Sequence, residues 1–229
     1  WIEDEYLSVA YGNDFVRSRI ESVGASRRES DSPTTQKTKV PPHRFMQIEG
    51  TAKDYSIVVP AITSVNREYL PVALLQGEAI LSNKCYALYD APLWNLALVA
   101  SKLHQVWVGT ICARMRSDFS YSNTLGWNTF PVPTLTDQNK ADLATSAKEI
   151  LLAREAHFPA TIAELYEVKD GESRMPDDLR RVHEKNDEVL ERIYIGRKFK
   201  NDTERLEKLF DLYTKMTAGQ AKPKKGKAK

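Results

Sequence analysis

The chain has few of the residues that mark secreted, membrane-bound or catalytic proteins. Its two cysteines, Cys85 and Cys112, lie in apolar surroundings and form no C-x-x-C arrangement, as expected of reduced, buried thiols in a cytosolic protein. No apolar run spans a membrane, the longest lying around residues 93–100, and no signal peptide is evident. Charge of one sign is also lacking. The formal net charge is +2, so no global field demands a polyanionic partner, and any nucleic-acid site must be a local patch. No glycine-rich loop joins a strand to a helix, which removes a phosphate or dinucleotide cradle. No N-P-P-Y or D-P-P-Y tetrapeptide, which an amino-methyltransferase needs to hold a flipped base, is present. His43, His104, His157 and His183 are scattered without metal-ligand spacing, and carboxylates such as Glu49 and Asp54 form no nuclease triad. The expectation is a chain with no catalytic residues, no metal site and no cofactor of its own.

What is present suffices for a substantial core. Of 229 residues, 41% are hydrophobic and 28% charged, within the range of a globular protein of one large or two small domains. Residues 13–30 read as a helix capped by Asn13 or Asp14, with Val16, Ile20 and Val23 at helical spacing. Its other face carries Arg17, Arg19, Arg27 and Arg28, either solvated or touching phosphates. The Pro-, Ser- and Thr-rich segment 31–43 is a connecting loop. Short β runs follow at 44–49, 55–60, 69–75 and 85–89. An apolar helical stretch over 93–114 breaks near Ser101, which can cap a second helix. Beyond Pro133 the pattern is wholly helical. Thr136 caps one helix, residues 161–166 form a short one, and Pro176 opens a third that stops at Gly196. Asn201 and Glu204 form a capping box for the last. His183, Asn186 and Asp187 make a polar spot that reads as a hydrogen-bonded core cluster. The lysine-rich residues 219–229 should be disordered. The fold class is α+β: a mixed α/β unit over 1–133, then an all-α helical bundle over 134–218.

The most distinctive stretch is 115–133, M-R-S-D-F-S-Y-S-N-T-L-G-W-N-T-F-P-V-P. Arg116, Asp118, Ser120 and Ser122 alternate with Phe119 and Tyr121, the period of a half-buried strand spanning 115–122. Arg, Asp and Ser are among the side chains suited to base edges, although an edge strand with a solvated face shows the same pattern.

Several segments, in this order, resemble the C-terminal part of MmeI-like enzymes. They are W-I-E-D, R-F, I-V-V-P-A-I-T-S-V-N-R-E-Y-L-P-V, L-H-Q-V-W-V-G-T-I-C-A-R, M-R-S-D-F-S-Y-S and N-T-F-P-V-P. The later R-R-V-H-E-K-N-D-E-V-L-E-R-I-Y-I-G and N-D-T-E-R-L-E-K-L-F-D-L-Y are similar to the C-terminal helical domain of that family. These enzymes are single-chain restriction-modification proteins and related DNA adenine methyltransferases. They carry a nuclease, a helical spacer and an S-adenosylmethionine-dependent methyltransferase domain upstream. The resemblance implies a DNA target-recognition domain plus C-terminal helices, beginning at Trp1 as an excerpt of a longer polypeptide would. Its implied partners are double-stranded DNA and the upstream methyltransferase domain, with no membrane, and S-adenosylmethionine is a cofactor of the parent enzyme alone. Carried over by position, Arg116 and Asp118 form one base-specifying pair, and Ser120 acts with Lys84 in S-N-K-C. The family often has Arg where Ser120 stands, which implies altered base choice, and Gly in place of Ala113. Ser122, Asn83, Arg17 and Arg19 are further candidate DNA contacts. A helical protein-interaction or scaffold fragment is the alternative that composition alone leaves open.

Overall fold

The computed structural model describes residues 2–46, 50–77 and 79–218. They form two compact units, Trp1–Thr51 and Ala52–Lys229. The lysine-rich end, expected to be disordered, lies outside the described residues, as do positions 47–49 of the first expected strand; positions 44–46 form no strand.

In the first unit a short turn, Asp4–Tyr6, leads into α1 (Leu7–Gly12), α2 (Asp14–Glu29) and α3 (Pro33–Gln36). Asn13 caps α2 by accepting the Val16 N–H at 3.2 Å, satisfying one of the donors that a helix start leaves open. The segment expected as plain loop holds α3, capped by Ser32 with Pro33 at its first position, where the missing proline N–H costs nothing. Arg27 donates to the carbonyls of Val40, Pro41 and Arg44. It therefore ties the returning chain to α2, which corrects its place on an open basic face.

The second unit begins with β1 (Tyr55–Pro60), which runs through a bend at Ala61 into β2 (Ile62–Thr63). Then come β3 (Ala73–Gln76), β4 (Cys85–Tyr89), α4 (Trp94–Val99), α5 (Lys102–Ile111), β5 (Arg114–Met115) and β6 (Asp118–Ser120). Two antiparallel sheets result, in the orders β3-β1-β4 and β2-β6-β5. The strand expected over 69–75 starts only at Ala73. Tyr69, Leu70 and Val72 are buried instead, and Pro71 between them has no N–H to give a ladder. Ser101 breaks the long helical stretch as its side chain accepts the His104 N–H at 3.1 Å. Among the residues of α4, Asn95, Leu96, Ala97, Leu98 and Val99 are buried, which makes it a core helix rather than an amphipathic surface one.

The remainder is α6 (Asp137–Glu155), α7 (Ile162–Leu165), β7 (Val168–Lys169), β8 (Glu172–Ser173), α8 (Asp177–Ile195) and α9 (Asp202–Ala218). The β7–β8 hairpin interrupts a region expected to be wholly helical. Its turn is Asp170-Gly171, both at positive φ, the pairing that type I′ turns demand. Thr136 and Asn139 close a reciprocal capping box on α6. Pro176 stands at the cap of α8 rather than inside it, and Gly196 ends that helix at φ 77°, a conformation free of cost only for glycine. Asn201 does accept the Glu204 N–H, but the Glu204 carboxylate turns to the Lys200 N–H and Arg197 rather than closing the box.

One hydrophobic core runs from Ile57 to Leu209 and takes in Leu96, Leu143, Ile150, Leu179 and Leu190 at no exposure. Each such side chain contributes roughly 1.5–3 kcal/mol of burial. Polar stitches fix the helices in register. Asn186 donates to the Ala97 carbonyl at 2.9 Å, and Asp187 accepts from the Lys102 N–H at 2.8 Å and the Tyr69 hydroxyl at 2.9 Å. The Tyr166 hydroxyl meets His183 Nε2 at 2.5 Å and also accepts from buried Arg154. The expected polar spot on α8 is thus a hydrogen-bonded core cluster. Among the described residues, no helix is long and apolar enough to cross a membrane.

Candidate nucleic-acid interface

The expected single strand over 115–122 is a hairpin. β5 and β6 pair with Arg114 opposite Phe119 and Met115 opposite Asp118, and Arg116 and Ser117 form the two-residue turn. Arg116 sits at φ 57°, unusual for a residue with a Cβ. It stands at the tip of the hairpin rather than in line with Asp118 and Ser120. From 118 onward the alternation holds: Phe119 and Tyr121 are buried, whereas Asp118, Ser120 and Ser122 are partly open.

The buried side of this hairpin is tightly built. An added Cβ at Gly109 of α5 would stand 2.9 Å from a ring carbon of Phe119, so only glycine lets helix and strand approach this closely. Arg114 donates to the Ser117 carbonyl at 3.1 Å and the Gly109 carbonyl at 3.4 Å, with its guanidinium 5.1 Å from the Phe119 ring centre. It braces the turn against the end of α5. The Tyr121 hydroxyl lies 3.1 Å from His104 Nε2. Burial holds that imidazole at about 3, and burial likewise raises Tyr121 and the Cys112 thiol. These groups stay neutral and serve as scaffold. Phe130 packs edge-on to His104 at 4.6 Å, and the Pro131 carbonyl accepts from Tyr194 of α8 at 2.9 Å. The N-T-F-P-V-P motif anchors the strand exit to the helices.

The outer side is different. Arg116, Asp118, Ser120, Lys84 and Asn83 have no side-chain hydrogen bond or ion pair among the described residues, and Arg116, Lys84 and Asn83 are exposed. Ala61 brings the two stretches together. Its N–H donates to the Lys84 carbonyl and its carbonyl accepts from the Tyr121 N–H, each at 2.8 Å. One residue therefore separates the S-N-K-C turn from the β6 strand. Ser122 is less available, since its hydroxyl accepts the Leu125 N–H at 3.3 Å and starts a five-residue π-helical turn, Asn123–Trp127. Arg17 and Arg19 belong to the first unit. Both are exposed, Arg17 ion-paired with Asp14 and Arg19 lying 5.2 Å from the Phe15 ring centre.

Gly109 and Arg114, which set the hairpin against α5, escaped the sequence reading as site residues. The signal for Gly109 was a glycine inside a helical pattern, a mark of close packing. Arg114 carried none. Among the described residues, no group of three His, Cys, Asp or Glu side chains can hold a metal ion. In the recess lined by Tyr69, Lys102, Asp187, Glu191 and Arg205, Glu191 is ion-paired with Arg205, and Asp187 accepts from the Tyr69 hydroxyl and the Lys102 N–H.

The MmeI target recognition domain family matches residues 1–134, and the MmeI C-terminal domain family matches residues 135–221. DNA methyltransferase A of Bacillus subtilis (strain 168) is 37% identical over 217 residues, covering 95% of this chain and 24% of that protein. A solved structure of the Type IIL restriction-modification enzyme MmeI in complex with DNA is similar with a TM-score of 0.83 and 28% identity, covering 95% of this chain and 28% of that one. The chain thus spans about a quarter of the length of these relatives. With the recognition-domain match covering more than half of its residues, the chain belongs to the MmeI family, as a target recognition domain followed by a C-terminal domain.

Proposed function

We propose that this chain reads a specific sequence in duplex DNA and presents it to an S-adenosylmethionine-dependent adenine methyltransferase domain lying upstream in a longer cytoplasmic polypeptide. The observation that carries the reading is a hairpin whose inner side is locked to the core while its outer side offers an unpartnered guanidinium and carboxylate. Side chains that read bases need both properties: a rigid mount, and donors and acceptors not already satisfied. The positive φ at Arg116 fits the same role, because backbone strain persists at sites where it is part of the mechanism.

The chemistry follows from the groups. Arg116 can donate two bonds to guanine O6 and N7, and Asp118 can accept from the cytosine amino group, so that together they read a G·C pair. Ser120 and Lys84, joined through Ala61, read a second position. Asn83 lies beside them, and Arg17 and Arg19 supply phosphate contacts that position without specifying. Residues 1–133 act as the reader, and the helices over 134–218 brace it. The methyl transfer, with the flipped adenine and its cofactor, belongs to the upstream domain.

The test is selection of bound duplexes from a random pool by the purified chain, followed by titration of affinity against salt. A selected sequence containing at least one G·C pair, with affinity falling steeply as salt rises, supports the reading. Enrichment of no sequence, with the chain forming the same oligomer whether or not DNA is added, would replace it with a scaffold.

A further inference from the structure

The outer face of the β2-β6-β5 sheet carries carbon as well as oxygen. Residues opposite each other in antiparallel strands point to the same face. The register sets Ile62 opposite Ser120 and Met115 opposite Asp118. The alternate residues Thr63 and Phe119 are buried, whereas Ile62 is 36% and Met115 57% exposed. Each candidate base reader on β6 thus has an open apolar side chain directly across from it, one on either edge of the sheet. Edge strands are commonly guarded by charge against unwanted pairing. These two edges present an isoleucine and a methionine at the positions nearest the polar readers.

We propose, resting on the DNA-recognition reading above, that Ile62 and Met115 are further specificity-determining residues, each contacting the 5-methyl group of a thymine in the major groove. Thymine offers a single hydrogen-bond acceptor there, O4, and its methyl group is what an apolar side chain senses. A two-stranded ribbon fits the major groove, so a strand placing Asp118 and Ser120 at base edges places their cross-strand partners one step away on the same surface. Ile62 is branched at Cβ and stiff at χ1, which makes it the more selective of the two. Met115 has three flexible bonds and tolerates a shift in the position of the methyl group.

The experiment uses the 229-residue chain and the duplex it selects from a random pool. Each thymine in that duplex is replaced in turn by deoxyuridine, which removes the methyl group and nothing else. Wild type should lose about fourfold in Kd at one or two positions, the worth of a buried methyl-sized group. Ile62→Ala should abolish the loss at one position and Met115→Ala at the other, each leaving the remaining position sensitive. Ile62→Thr, which keeps the branched shape of a strand residue, guards against a folding defect and should show a loss smaller than wild type. A selected duplex indifferent to every thymine methyl, or a wild-type loss that persists in both alanine variants, overturns this proposal and leaves sequence recognition standing. Failure to select any sequence overturns both.

Discussion

Two polar regions of the second unit differ in one decisive respect. Around α8, the buried charged groups are answered. Glu191, at 1% exposure, accepts from Arg205 and from the Phe199 N–H, and Arg154 and His183 share the Tyr166 hydroxyl. On the outer face of β6, Asp118 and Ser120 are open and unanswered, with Arg116 beyond them at the hairpin tip. Leaving a buried charge unpaired costs free energy, and these charges have partners. Exposed ones without partners cost little and remain available to a ligand. Charge and polarity alone do not separate the two regions; partnering does.

Substitution should separate them further. The largest effect belongs to the buried side. Glu191→Ala leaves the Arg205 guanidinium without its principal partner and should cost about 3–5 kcal/mol in urea unfolding. A change below about 1 kcal/mol would move this pair into the class of surface ion pairs.

Acid should act on the same region. Burial holds His104 and His183 at about 3, against 6.5 for a free imidazole. Below pH 6.5 the unfolded chain therefore binds protons that the fold does not, and stability falls as pH drops toward 3. Asp187 opposes this. Burial raises its carboxyl to about 7 against 3.8, so its contribution is full below 3.8 and is lost as pH rises through 7. Two imidazoles outweigh one carboxyl, so lowering pH from 6.5 to 4.5 should cost roughly 2 kcal/mol, read from urea midpoints. Asp187→Asn should steepen that dependence.

Gly109→Ala acts on the open face from beneath, since its new methyl would press on Phe119. It should cost about 1–3 kcal/mol of stability and weaken DNA binding as well. An alanine variant as stable and as tightly bound as wild type would show that the strand is not held by this contact. The smallest effect on unfolding belongs to the outer face. Asp118→Asn and Ser120→Ala should shift stability by less than about 0.5 kcal/mol, and a larger loss would place their side chains in the folding core.

Much of this architecture was legible in local signals. Asn13, Ser101 and Thr136 cap helices as their positions suggest, and Gly196 ends α8. Strands β1 and β4 match the expected runs residue for residue. The hairpin at Arg116 did not show, for a physical reason. A two-residue turn shifts the face by one position, so Met115 rather than Ser117 lies beside Asp118, yet the polar residues at 116, 118 and 120 carry one period of two straight through it. The turn also lacks the glycine or asparagine that positive φ favours. Asp170-Gly171 did carry such a signal, and the β7–β8 hairpin stands there. The candidate readers were named from alternation and resemblance, but the tie through Ala61, the brace from Arg114 and the apolar partners of Asp118 and Ser120 depend on strand register. The pairing of β2 with β6 joins residues far apart in sequence, and the pairing of β5 with β6 depends on a turn that carries no sequence signal.

Recognition as proposed requires Arg116 to contact a base and not the phosphate backbone. Its most direct test compares wild type with Arg116→Ala against the selected duplex and every single base-pair change in it. Discrimination should be lost at one G·C position, by about 1–3 kcal/mol, while preferences elsewhere and the salt slope stay as they were. Uniform weakening on all sequences, with a shallower salt slope, would make Arg116 a phosphate contact and rule out base reading by it.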